Sequence, residues 1–112
     1  MAESDIYPGH LSSAIVDTAH QLAEFYLEAG DTAGTRWAVQ RAWLADPHRG
    51  DDAPWIDLMR AMHQDGSTAG LRSLLGELLQ AREAEVPEDL APATYTWIRQ
   101  LLPDPISAGV SG

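Results

Sequence analysis

The chain of 112 residues contains no cysteine and no lysine, a single phenylalanine, and no long apolar run. Without cysteine there is no disulfide, no thiolate metal ligand and no cysteine nucleophile, and the composition fits a reducing compartment. No stretch approaches the roughly 18 apolar residues that a membrane span requires. The opening MAESDIYPGHLSS lacks the basic and apolar regions of a signal peptide, so a cytoplasmic location is expected. Basic charge is scarce. Seven arginines face 17 acidic residues, for a net charge of −10. Such a chain repels a phosphate backbone, which argues against DNA or RNA as a direct partner. Catalytic signatures are missing too. The string GDTAG lacks the lysine and the preceding strand of a phosphate loop, and Ser12, Ser13, Ser67 and Ser73 have no nucleophile-elbow context. The expectation is a non-enzymatic protein without a cofactor.

What is present is helical periodicity. Ile15, Val16, Ala19, Leu22, Ala23 and Tyr26 recur at three- and four-residue steps, which predicts an apolar helix face from about Ser12, with Ser12 or Ser13 as N-cap, to Gly30. A second helix, capped by Asp31 or Thr32, carries Trp37, Ala38, Ala42 and Leu44 or Ala45 and stops at Asp46-Pro47. A third begins near Asp52 and buries Trp55, Leu58, Met59 and Met62. The fourth carries Leu71, Leu74, Leu75, Leu78 and Leu79 to about Ala84, with Gly76 inside it, which a close helix–helix approach would explain. Pro92 opens a fifth with Tyr95, Ile98, Leu101 and Leu102. Residues 1–11 read as a flexible lead-in, 12–102 as the helical domain and 103–112 as a flexible tail. The fold class is therefore all-α, with about five helices and short connections that force neighbours antiparallel.

Gly30–Arg36 (GDTAGTR) and Gly66–Arg72 (GSTAGLR) match at an offset of 36 residues, each in the turn between two helices. The chain thus reads as two helix–turn–helix units and a closing helix. The pattern resembles a tetratricopeptide repeat: Leu22, Ala23, Tyr26, Gly30, Asp31, Ala42 and Pro47 match in the first unit, and Trp55, Leu58 and Gly66 in the second. Bulky Leu71 and Leu78 replace small residues in the second unit, which predicts that it packs differently.

Read together, VDTAHQLAEFYLEAGDTAGTRWAVQRAWLADP, WIDLMRAMHQDG and DLAPATYTWIRQLL resemble the bacterial transcriptional activator domain, over roughly residues 12–102. This is a tetratricopeptide-like module of actinobacterial regulators and of proteins carrying a LysM module. The resemblance implies a protein-interaction or regulatory part of a larger protein, working on a protein or peptide partner or on other domains of its parent chain. It implies no catalytic residues. A homodimer formed through the surface that absent neighbouring repeats leave open, and a small-molecule-sensing domain, are the alternatives.

If the repeat analogy holds, the first helix of each unit lines a concave surface. The positions are Asp17, His20, Glu24, Leu27 and Glu28 in the first unit and Ile56, Arg60 and His63 in the second. Such a surface suits a peptide carrying Arg or Lys. His20 and Glu24 share a helix face and His63 lies on the third helix, but no spacing fixes a metal site, so they read as exposed polar residues. Trp55 takes a core position. Trp37 and Trp43, six residues apart, point to different sides, with Trp43 taken as the outward one.

Overall fold

The computed structural model describes residues 8–102, with side chains from Ser13 onward. Five α-helices follow one another: α1 (Pro8–Glu28), α2 (Thr32–Ala45), α3 (Asp52–Gln64), α4 (Thr68–Ala81) and α5 (Pro92–Leu101), with a short 3-10 turn at Pro87–Asp89 before the last. The fold is all-α, as its periodicity predicts. The tail after Leu102 and residues 1–7 of the expected lead-in lie outside the described residues.

The first helix starts at Pro8 rather than beside Ser12, so Ser12 and Ser13 lie inside it and not at its N-cap. Pro8 suits a first helical position because its missing N–H has no intrahelical partner there. Asp31 caps α2 by accepting from the Gly34 N–H at 2.8 Å, and Asp51 caps α3 by accepting from the Ala53 N–H at 3.1 Å. Pro92 opens α5.

The repeated string has a structural cause at both of its glycines. Gly30 and Gly66 adopt left-handed backbone, with φ of 74° and 75°. Each closes its helix in the same way. The Gly30 N–H bonds the Leu27 carbonyl and the Asp31 N–H the Tyr26 carbonyl, while Gly66 and Ser67 do likewise to His63 and Met62. The second glycine of each string gives room. A Cβ on Gly34 would stand 2.6 Å from the Tyr26 ring, and one on Gly70 would stand 2.6 Å from Ser67 Oγ and 3.3 Å from Met62 Sδ. Tyr26 and Met62 are themselves 36 residues apart in the chain, so the two units repeat one contact. Helix α4 ends by the same pair of turn bonds with Glu83 in the left-handed position, where no glycine announces it.

Helices α1, α3 and α5 lie side by side in one layer, with α2 packed on α1 and α3, and α4 on α3. The units differ as their small and large residues predict. Val16, Ala19, Ala23, Ala38, Val39 and Ala42 are buried in the first, and α1 and α2 make far closer contact than α3 and α4 do. The second is held apart by Leu71, Leu74, Leu75 and Leu78, which form the main core with Trp55, Met59, Leu90, Ile98 and Leu102. Gly76 faces open space, with nothing within 4 Å of its Cβ position, so no close approach accounts for it.

The tryptophans of α2 are placed the other way round from expectation. Trp37 is half exposed, while Trp43 is half-buried against Trp55 of α3, ring centroids 5.1 Å apart. Trp43 shares a face with Thr32 and Arg36 at helical spacing, and both of those bond Asp65 at the end of α3. That face of α2 meets the second unit. Arg49, itself in left-handed backbone, lays its guanidinium over Trp43 at 3.9 Å, and its carbonyl accepts the Trp55 Nε1–H at 3.2 Å. The expected core face of α1 is also only partly closed: Val16, Ala19 and Ala23 are buried, but Ile15 and Leu22 are exposed, as are Trp37 and Leu44 of α2.

Two substitutions read this packing. Gly76→Ala is expected to stabilise the chain by about 1 kcal/mol, since it gains helix propensity at no steric cost. Gly34→Ala is expected to destabilise it by about 1–3 kcal/mol through the clash with Tyr26. Urea unfolding midpoints measure both.

Candidate functional site

Where helices α1 and α3 pack side by side, His20 and Asp57 meet across them. His20 Nδ1 lies 2.7 Å from Asp57 Oδ2. Asp57 is fully buried in the middle of α3, and its other oxygen finds no hydrogen-bond partner among the described residues. Burial of an ionised carboxyl without full pairing is costly. Desolvation accordingly pushes Asp57 up to about 6, against the opposing pull of the His20 hydrogen bond and the charges of His20 and Arg60. Burial draws the His20 ring down, but the Asp57 hydrogen bond and the charges of Asp57, Glu24 and Asp51 outweigh it, and its pKa ends above the ordinary value. The two groups share a short contact and titrate as a pair.

On the surface above this pair, three helices are stitched together. One oxygen of Glu24, on α1, lies 3.6 Å from His20 Nε2 and 3.7 Å from Arg60 Nη1 of α3. Arg60 in turn lies over the ring of Trp97 on α5, 4.5 Å from its centroid. The Glu24–Arg60 pair is long and partly exposed, worth at most about 1 kcal/mol. The cation–π contact adds on the order of 0.5–1 kcal/mol. These contacts orient side chains on the face more than they hold the fold.

Among the residues expected to line this face, His20, Glu24 and Arg60 come together, and Asp17, Glu28 and His63 are exposed on the same helices. Ile56 is half-buried. Leu27 does not belong to the surface. It is buried at the end of α1, and its carbonyl accepts the Gln64 amide of α3 at 3.0 Å. His20 is not the solvated polar residue its sequence context indicates, because α3 brings Asp57 against it. His63 does not join His20 and Glu24, and among the described residues no group of three or more His, Asp or Glu side chains is placed to hold a metal ion. Asp57 and Trp97 were not legible as partners. The one signal for Asp57 is its position between Ile56 and Leu58, a carboxylate inside an otherwise apolar stretch.

Two further concavities lie among the described residues. A cleft of about 710 Å³ lies at the start of α3, lined by Asp46, Asp51, Asp52 and Asp89 among others. Its carboxylates already serve the fold. Asp46 and Asp89 accept from the Gly50 and Glu85 N–H groups, Asp51 caps α3, and Asp52 accepts from Arg82 and Thr94. A groove of about 300 Å³ lies between α1 and α2, lined by the small residues Ala14, Thr18, Ala19 and Ala38 and by Ile15, Leu22, Trp37 and Arg41. No helix among the described residues is long and apolar enough to cross a membrane. No family model, no curated protein and no solved structure matches the chain.

The buried pair makes stability depend on pH. Asp57 and His20 both bind their protons more tightly in the folded chain than in the unfolded one. The stability each contributes is full below its unfolded pKa and is lost as pH rises through its folded one. For Asp57 that loss runs between 3.8 and about 6, and for His20 it continues above 6.5. The melting temperature is therefore expected to fall by several degrees between about pH 4 and about pH 8, with most of the drop due to buried Asp57 and less to His20, which solvent partly screens. Asp57→Asn should flatten the acidic half of that slope, as thermal melts across the pH range would measure.

Proposed function

We propose that the chain is a non-enzymatic interaction module, the regulatory part of a larger, cytoplasmic protein, and that it engages its partner through the face of α1, α3 and α5. The observation that carries this reading is the alignment of Glu24, Arg60 and Trp97 across the three helices. A guanidinium over an indole, with a carboxylate beside it, is a surface that can exchange its internal contacts for those of a ligand at little cost. Asp17, Glu24 and Glu28 make the α1 side acidic, and the chain as a whole is strongly so. An Arg- or Lys-bearing peptide fits that side by charge, and an apolar or aromatic residue fits beside Trp97. The resemblance to the bacterial transcriptional activator domain supports the regulatory half of the reading. The −10 charge supports a protein rather than a nucleic-acid partner.

The geometry favours binding over turnover. His20 and Asp57 form a proton-sharing pair, but no serine or threonine hydroxyl is hydrogen-bonded to His20 among the described residues. Its remaining nitrogen faces Glu24 instead.

The reading is tested by titrating isotope-labelled protein with short Arg-containing peptides and with neutral peptides of the same length. Arg peptides are expected to shift the Trp97 indole resonance and amides of α1 and α3. The double charge reversal of Asp17 and Glu28 to Lys should weaken them about tenfold at low salt. Equal binding of neutral peptides, or shifts confined to α2 and α4, would contradict it.

A further inference from the structure

The large apolar side chains that α1 and α2 leave exposed lie on one side of their hairpin. Ile15, Leu22, Phe25, Trp37 and Leu44 are 40, 37, 65, 50 and 72 % exposed, which leaves on the order of 500 Å² of large apolar surface in water. Residues 15, 18, 22 and 25 share one face of α1, and 37, 41 and 44 one face of α2. Both faces lie on the side of the hairpin away from α3, since His20 and Glu24 of α1, and Arg36 and Trp43 of α2, are the residues that reach α3. The groove between α1 and α2 runs along this side.

The internal repeat shows how the corresponding positions are filled in the second unit. At an offset of 36 residues, Ala19 and Leu22 correspond to Trp55 and Leu58, and Ala38 to Leu74. In the second unit these positions are not open. Trp55 lies under Trp43 of α2, and Trp43 and Leu58 pack against the same core as Leu74. Leu22 and Phe25 thus correspond to Leu58 and Ala61, which the second unit covers, whereas Trp37 and Leu44 correspond to Ser73 and Gln80, which are exposed there too, so large apolar side chains on that side of the second helix are particular to the first unit.

We propose that this face pairs with the same face of a second copy of the chain, forming a twofold-symmetric dimer of α1/α2 hairpins. Three observations select a second copy as the occupant. First, the hairpin holds both a recess and projections: small Ala14, Thr18, Ala19 and Ala38 line the groove, and Trp37, Phe25 and Leu44 are exposed on the same two helices, so a copy can offer a projecting ring to the other's groove. Second, among the described residues Arg41 is the only ionisable one lining the groove, in a chain carrying a net charge of −10. The patch is where two like-charged molecules meet with least repulsion, and Arg41 itself lies over the Trp37 ring, 5.7 Å from its centroid. Third, the area is right. A specific interface takes roughly 800 Å² from each partner, which the large side chains with the small residues and Arg41 between them approach. A head-to-tail array is closed off, because α5 packs on α3 and its Ile98 completes the second unit's core. This surface is separate from the α1/α3/α5 face, so failure of one reading leaves the other standing.

Sedimentation velocity of the full chain from about 5 to about 500 μM, at about 50 and about 500 mM NaCl, tests the proposal. The expected result is a monomer–dimer equilibrium that tightens at high salt, as screening relieves the repulsion of two acidic chains. Trp37→Glu and, independently, Leu44→Glu should each weaken the dimer by at least about 30-fold, with unchanged helical circular dichroism because both positions are exposed. A chain that stays monomeric throughout overturns the proposal, and so does a dimer that survives both substitutions or weakens with salt. A monomer whose Trp37 is protected from a soluble quencher would assign the patch to another segment of the chain and overturn it too.

Discussion

The molecule depends on the interface between its two helical hairpins. Neither hairpin can bury two layers of side chains alone. Trp55 is the largest fully buried side chain among the described residues, and it is buried because Trp43 lies across it and Arg49 covers the pair. Around that contact, polar bonds fix the register. Asp65 accepts from Thr32 and Arg36, the Gln64 amide reaches the Leu27 carbonyl, and His20 meets Asp57. Apolar contact drives the association, since a fully buried large side chain contributes about 1.5–3 kcal/mol. A typical hydrogen bond adds a net of only about 0.5–1.5 kcal/mol. The polar bonds select which of several sliding arrangements the hairpins adopt.

The repeat then works at two scales. Within each hairpin it supplies a left-handed glycine that ends one helix and a second glycine that admits Tyr26 or Met62. Between hairpins its counterpart positions differ in size: Trp55 and Leu74 fill the second unit where Ala19 and Ala38 are buried in the first. The alanines and valines that let α1 and α2 approach so closely leave Ile15, Leu22 and Trp37 too few partners inside the chain. Close packing on one side of the first hairpin and exposure on its other side are two results of the same residue sizes.

The helices and their ends were legible in the sequence because local chemistry decides them: a glycine that must take positive φ, a proline at a first turn, an aspartate at a cap. The partition between core and surface was less legible. Ile15 and Leu22 satisfy helical periodicity as well as Val16 and Ala19 do, and periodicity marks a face as apolar without saying whether anything covers it. Trp37 and Trp43 could not be ordered because α2 has apolar residues on three sides, and only the position of α3 distinguishes them. Asp57 was missed for a related reason. Its partner His20 is 37 residues away, and an ion pair between helices leaves no spacing signature within either one. Gly76 shows the opposite error, a residue given a packing role that its open surroundings do not support.

The face of α1, α3 and α5 exists only while the hairpins stay docked, since Glu24, Arg60 and Trp97 come from three helices that no single unit contains. Amide hydrogen exchange resolved by residue tests that dependence most directly. If the two hairpins form one cooperative unit, the slowest amides of α2 and of α3 and α4 will exchange with the same free energy, that of global unfolding. If those of α1 and α2 instead open at a free energy lower by more than about 1 kcal/mol, the hairpins fold separately, and the Trp43–Trp55 interface does not hold the molecule together.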